Sequence, residues 1–404
     1  MRPSSSSREG THAPIRLLQA TAFVSTLDRF AMPPMLVVIA HDLGVPLADV
    51  VRAAGVYFFA YGLCQPLWGA VSDRLGRVRT MQLTLLGAAL STLASALSGS
   101  AAVLAVTRGL AGGFFGAAYP ASLIYLGDTV PAAGRQREIA RLMVGVATGT
   151  ALASIGAGVL ADVVSWRAAF VITGIAALAL VWKLRGLPEP AHSHRPTSLL
   201  EPLRTVSRSG IALLILLFAF VEGAVLLGAL TLLPPAVENT GASVTVAGAV
   251  TAVYGVAVFL GSRLVGRLSS DWHPAALIGM GGAAAVIGCA LFAVSQQAAM
   301  AVVVVVVFGF AWTLMHSSLQ TWATEVLPTA RATIVSLFAG SLFVGSAIAA
   351  IIVSGLAEDG RYSLIYAGCA AIALPLALAA GIGRRRWRRP DEPAGPNAGP
   401  QAEP

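Results

Sequence analysis

Charge is scarce in this sequence: Asp, Glu, Lys and Arg make up 11% of its 404 residues, against about 25% in a typical soluble domain. Cysteine is scarcer. Cys64, Cys289 and Cys369 are too few and too scattered for a disulfide framework or a zinc site, and each lies in an apolar run where it reads as a small packing residue. No polar stretch is long enough to bury a core of its own, which excludes a soluble enzyme carried on a membrane anchor. A phosphate-binding loop of the G-x-x-x-x-G-K-[ST] type is absent, so an ion gradient, not ATP, is the expected energy source. No nucleophile–base pair or metal-ligand set stands out. Neither an enzyme, nor a cofactor, nor a metal site is expected.

What is present is apolar length. Hydrophobic residues reach 56%, mean hydropathy is +0.77, and runs of about 18 apolar residues are the signal of a membrane span. Twelve such runs are legible: 17–40, 50–71, 80–98, 101–126, 139–161, 165–185, 210–236, 245–265, 275–295, 299–322, 331–355 and 363–382. The expected fold is an all-α membrane protein of twelve transmembrane helices in two pseudo-symmetric six-helix bundles, residues 15–185 and 210–383. Residues 1–14 read as a cytoplasmic tail, followed by a span too long for a signal-peptide core. Residues 186–209, rich in Pro, Ser and charge, read as a cytoplasmic linker. There His192 and His194 are expected to be solvated. Residues 384–404 read as a disordered cytoplasmic tail.

The formal net charge of +8 raises the question of a nucleic-acid partner, and the positions of the basic residues answer it. With the N-terminus inside, 22 of the 27 Lys and Arg fall on cytoplasmic segments, three (Arg52, Arg167, Arg361) fall outside, and Arg29 and Arg108 lie within spans. That bias sets orientation by the positive-inside rule. The expected location is the bacterial inner (plasma) membrane with both termini cytoplasmic, and the expected partners are lipid, protons and a small-molecule substrate of a monomeric protein, not nucleic acid.

The two halves echo each other at an offset of about 197–201 residues, as duplicated transporter folds do. Pro33-Pro34 returns as Pro234-Pro235, Val56-Tyr57 as Val253-Tyr254, GAVSD (69–73) as GRLSSD (266–271), and DTVPAAGR (128–135) as EVLPTAR (325–331). All four echoes keep the same order.

Between the second and third spans lies GAVSDRLGRVR, Gly69 to Arg79. It resembles the loop G-x-x-x-D-R-x-G-R-[RK] of major facilitator superfamily transporters, with Gly69, Asp73, Arg74, Gly76, Arg77 and Arg79 on or next to the family positions. A basic loop alone would satisfy the orientation rule without explaining where Asp73 and Gly76 stand. The resemblance implies a conformational latch: Asp73 capping the N-terminus of the eleventh helix, worth ~0.3–1 kcal/mol through the helix dipole, and Arg77 pairing with Asp128 at the close of the fourth span.

Ionisable side chains at bilayer depth are costly, ~2.5–3.5 kcal/mol on insertion scales, and are functional candidates by default. Asp28 lies roughly 17 Å into the first span and Glu222 about 18 Å into the seventh, counting 1.5 Å per residue. A carboxylate in an apolar cavity can carry a proton and release it when water or a cation approaches, so Asp28 and Glu222 are expected proton-coupling sites. For Asp28 a permanent bridge to Arg29 or Arg108 competes with that reading. Glu222, flanked by Val221 and Gly223 with no basic neighbour in sequence, favours proton carriage. Arg108 sits in LAVTRGLAGGF (104–114), similar to the family's fourth-helix signature L-x-x-x-R-x-x-Q-G-x-G at Leu104, Arg108 and Gly112. That resemblance implies a role for Arg108 in proton handling or substrate binding.

The fifth span, GVATGTALASIGAGVLAD (145–162), departs from the G-x(8)-G-P-x-x-G-G pattern of drug-exporting relatives, with Ser154 where Pro is expected. Its small residues still permit close helix packing. In the tenth span Trp312, His316 and Gln320 recur every fourth residue and share one face, which suits a ligand cavity. Arg29, Tyr57, Tyr61 and Tyr119 complete the expected cavity, and Trp322 is expected in the interfacial aromatic belt. The functional expectation is secondary active transport by alternating access: proton-coupled efflux of small amphiphilic or hydrophobic compounds, with lipophilic or cationic cargo preferred over sugars. Proton-coupled uptake of a small organic anion or metabolite, with Arg29 or Arg108 as counter-charge, is the alternative. A non-transporting membrane sensor or scaffold is the alternative of another class, and costly buried charges weigh against it.

Overall fold

A computed structural model describes residues 15–190, 200–269 and 271–388, all in helices and short connections, with no strand among the described residues. His192 and His194 lie outside them. Among the described residues twelve long helices follow one another: α1 (Ile15–Leu43), α2 (Leu47–Leu75), α3 (Arg77–Ala96), α4 (Ala101–Thr129), α5 (Ala132–Val163), α6 (Trp166–Leu184), α7 (Gly210–Glu238), α8 (Val244–Leu268), α9 (Pro274–Val294), α10 (Ala298–Val326), α11 (Arg331–Glu358) and α12 (Tyr362–Arg386). Eleven are long and apolar enough to cross a membrane. The twelfth, α3, is diluted by hydroxyls, and Thr80, Thr84, Ser91 and Ser95 each return theirs to a carbonyl four residues back. That satisfies the polar atoms within the helix itself.

Helix starts are encoded locally. Ser100, Ser165, Ser209 and Ser243 precede α4, α6, α7 and α8, and each hydroxyl accepts a hydrogen bond from a backbone N–H of the first turn, the usual repair for orphaned helix donors. The echoed proline pairs behave differently in the two halves. Pro33-Pro34 breaks α1 into two helices around a 3₁₀ turn at Pro33–Met35, while Pro234-Pro235 remains inside helical α7.

The duplication is plain in the packing. In the first half α1 lies on α5, α2 on α4 and α3 on α6; in the second, α7 lies on α11, α8 on α10 and α9 on α12. Adding six to each number maps one half onto the other. The halves meet along α2 with α11 and α5 with α8, where small residues let backbones touch. A Cβ on Gly62 would stand 2.6 Å from the Gly340 carbonyl oxygen, and one on Gly248 would stand 2.5 Å from that of Ser154. The small residues of the fifth span therefore form part of the seam between halves.

At the end of the molecule bearing the Gly44, Gly241 and Gly360 turns, hydrogen bonds join the halves. The Ala48 N–H donates to Glu358 Oε2 at 2.9 Å, Arg52 Nε to Ser354 Oγ at 3.2 Å, and Thr245 Oγ1 to Asp162 Oδ2 at 2.7 Å. From the middle toward the opposite, Gly76 end, a cavity of about 190 Å³ opens between α1, α5, α7, α8, α10 and α11.

Two boundaries differ from expectation. The linker contains a short helix, Leu200–Arg208, whose Val206 is buried. The last helix runs on to Arg386, and Arg384, read as tail, is buried with Nη2 2.7 Å from Glu325 Oε2 and its guanidinium over the Trp322 and Trp387 rings. Trp322 is accordingly a core residue and not a belt aromatic: it is fully buried against Phe218 and Trp387.

Candidate functional site

Asp28 and Arg108 are both fully buried and hold each other. Arg108 donates from Nη1 to Oδ1 at 3.0 Å and from Nη2 to Oδ2 at 2.8 Å, Thr92 adds a hydroxyl to Oδ1 at 3.1 Å, and the Asp28 carbonyl takes a further bond from Nη2 at 3.3 Å. The guanidinium is sandwiched by the rings of Tyr57 at 4.4 Å and Phe170 at 4.7 Å. Of the bridging partners open to Asp28, the fold selects Arg108, because Arg29 points about 100° away around α1. Neither Asp28 nor Arg108 lines the cavity. Of the two expectations for Asp28, proton carriage and a permanent bridge, this geometry is that of the bridge, with Arg108 and not Arg29 as its partner. Asp28 and Arg108 form a paired, hydrogen-bonded strut between α1 and α4.

Glu222 has a different setting. It is fully buried, its Oε1 has no hydrogen-bond partner among the described residues, and its Oε2 lies 3.3 Å from His316 Nδ1. The sequence places no base near Glu222; the tertiary fold brings one from α10. Both residues sit at wide helical turns. Glu222 leads directly into a π-helical segment, Gly223–Gly228, and His316 closes another, Trp312–His316. Such turns interrupt the regular ladder and gather at functional sites. Two helices distorted at the same pair of residues is the least sequence-legible feature of the molecule. The His316 ring stacks on Trp312 at 4.0 Å and 12°, and Trp312 lines the cavity. A continuous path therefore runs from the cavity wall through Trp312 and His316 to Glu222.

Arg29 is the sole charged residue of the cavity wall among the described residues. It donates to Tyr61 Oη at 3.3 Å and lies over the rings of Phe30, Tyr61 and Phe343 at 5.0–5.5 Å. Other expected cavity residues are placed less directly. Tyr57 and Tyr61 are buried behind the wall, stacked on one another, and Tyr119 reaches Met143 Sδ at 3.7 Å, itself a wall residue. Gln320 is half-buried and off this wall. Tyr254, the repeat echo of Tyr57, lines the cavity instead.

In the signature loop, Arg77 Nε lies 3.0 Å from Asp128 Oδ2 while its Nη1 takes Asp73 Oδ1 at 2.5 Å and Ser72 Oγ at 3.0 Å. Arg74 and Arg79 are exposed, and Gly69 has open space around it. The cap on α11 is expected when the cavity opens outward; in the conformation described, Ala330 precedes that helix without a side-chain cap and Asp73 lies against Arg77 in its own half. Sequence reading missed Glu189. Its carboxylate accepts from the backbone N–H of Arg77, from Val78 at 3.1 and 3.2 Å and from Arg79 at 3.3 Å, at the N-terminus of α3. An acidic residue in a Pro-rich segment gives no sign of that destination.

The match to known proteins decides the family. The model of the Major Facilitator Superfamily matches residues 19–350 and 230–403. The chain belongs to the Major Facilitator Superfamily. Solved facilitator folds agree: the crystal structure of the nucleoside transporter NupG superposes with a TM-score of 0.74 at 14% identity, covering 93% of this chain and 99% of that one. Among relatives, the tetracenomycin C resistance and export protein of Streptomyces glaucescens is 33% identical over 160 residues, 39% of this chain and 29% of that protein. A triacylglyceride transporter of Mycobacteroides abscessus is 30% identical over 183 residues, 43% of this chain and 34% of that protein. These matches span about a third of the relatives' own lengths. This facilitator's helix pairing and its seams at α2/α11 and α5/α8 are thus those of a multi-pass transporter fold.

Proposed function

We propose that this chain is a proton-coupled exporter of small amphiphilic or hydrophobic compounds, working by alternating access in the inner membrane with both termini cytoplasmic. The observation that carries the reading is the buried Glu222–His316 pair, one stacked ring away from an apolar cavity. A carboxylate with one unpartnered oxygen and one facing an imidazole can take up a proton, hold it out of water and release it when the surroundings open. Proton arrival or loss changes the Glu222–His316 contact, and through the stacked Trp312 it alters the cavity wall.

By the positive-inside bias the Gly76 end faces the cytoplasm, so the conformation described is closed outward and open inward. Rocking about the α2/α11 and α5/α8 seams would break the Ala48–Glu358 and Arg52–Ser354 bonds. It would also bring α11 toward Asp73. The Arg77–Asp128 latch would tune that balance, because 1.4 kcal/mol changes the ratio of states tenfold. Relatives named for antibiotic export and for triacylglyceride transport favour a lipophilic cargo.

The test is growth of a pump-deficient bacterial host on a panel of toxic amphiphiles, with wild type, Glu222→Gln and His316→Asn at equal protein level. Resistance from the wild type that both substitutions remove supports the reading. Sensitisation by the wild type would make the protein an importer instead.

A further inference from the structure

Among the described residues Arg29 is the only charged one on the cavity wall, and it has no carboxylate partner there. Among the described residues no carboxylate lies within ion-pair distance of it; its Nη1 bonds only the neutral Tyr61 hydroxyl at 3.3 Å, and its Nε is buried without a partner. The nearest acidic side chain in sequence, Asp28, is held by Arg108 through both oxygens. Aromatic faces of Phe30, Tyr61 and Phe343 support the cation at 5.0–5.5 Å, which steadies the guanidinium but leaves its charge to be met from elsewhere. The rest of the wall is mostly apolar, with Val146, Leu227, Val258, Phe259 and Trp312, and its polar groups are the neutral side chains of Thr150, Tyr254 and Ser262.

We infer that the cavity takes an amphiphile bearing a single anionic head, a carboxylate or its equivalent, seated on Arg29 with its apolar body against the aliphatic and aromatic wall. A cationic head would meet an unscreened guanidinium in a low-dielectric space, where like charges repel strongly. A planar donor fork matches a carboxylate in two places at once. Of the lipophilic or cationic cargo expected ahead of sugars, the cationic kind is thereby disfavoured by one side chain. This inference rests on the transport reading above, whose cavity it fills.

The test uses purified full-length protein in zwitterionic-lipid nanodiscs and three probes of one shape: 2-naphthoate, 2-naphthalenemethanol and 2-naphthylmethylammonium. Binding is measured by titration calorimetry against empty nanodiscs. The expected result is that 2-naphthoate binds at least tenfold more tightly than the ammonium, that Arg29→Gln removes this preference, and that Arg29→Lys retains part of it, with melting temperatures confirming that the variants are folded. Equal or tighter binding of the ammonium, no binding of 2-naphthoate, or an unchanged 2-naphthoate affinity in Arg29→Gln would each overturn it. Glu222→Gln separates the two readings: anion binding that depends on Arg29 alongside resistance that ignores Glu222 removes proton-coupled export and leaves the anion site standing.

Discussion

The Glu189 carboxylate occupies the space that a side chain on Gly76 would fill. A Cβ there would lie 2.7 Å from Glu189 Cδ, and Gly76 already has φ +99°, a region L side chains avoid. The glycine of the signature loop thus serves both the turn and the acidic cap that follows it.

Gly76→Ala is expected to destabilise the protein by ~1–3 kcal/mol, combining backbone strain with a displaced carboxylate. Glu189→Gln, which keeps the shape and removes the charge at the α3 N-terminus, is expected to lose ~0.3–1 kcal/mol. Thermal unfolding in detergent distinguishes them, and a larger loss in Glu189→Gln than in Gly76→Ala would contradict this account.

Removing either partner of the Asp28–Arg108 strut leaves an uncompensated buried charge, so Asp28→Asn and Arg108→Met should each cost about 3–5 kcal/mol. Replacing both together should cost less than the sum of the single changes. Unfolding of the four proteins in a double-mutant cycle reads the coupling, and additive losses would refute the strut.

If Glu222 carries the proton and His316 assists, reconstituted Glu222→Gln should show no substrate-driven proton movement in a pH-dye assay while still binding cargo. His316→Asn should slow it by tenfold or more. Proton movement at the wild-type rate in Glu222→Gln would assign coupling elsewhere.

Closure at the Gly44 end rests in part on Glu358, which accepts the Ala48 N–H. Glu358→Gln is expected to weaken that bond by ~1 kcal/mol and to shift population toward the outward-open state about fivefold. Cysteine accessibility at Gly44-end cavity positions should rise, and unchanged labelling would show that the bond does not hold the state.

Much of the architecture was legible before the fold. Apolar run length marks the spans, serines mark four helix starts, and the Pro-Pro and Val-Tyr echoes mark the repeat that the α1/α5 and α7/α11 pairings display. The Arg77–Asp128 contact also follows from a loop and a span end that the resemblance had linked. Glu189 was not legible, because a carboxylate reaching 110 to 112 residues back along the chain leaves no local pattern.

The sequence by itself determined the run of long apolar helices and, through its Lys and Arg bias, the orientation to be expected of them. Those are consequences of hydrophobic length and charge near each span, both local quantities. Only the tertiary structure decided which buried charges are spent on one another. Helix facing assigns Arg108 to Asp28, brings His316 to Glu222 beside the two π-turns and leaves Arg29 in the cavity wall without a carboxylate partner among the described residues. Pairing depends on which helix faces meet, and no local run of residues contains that.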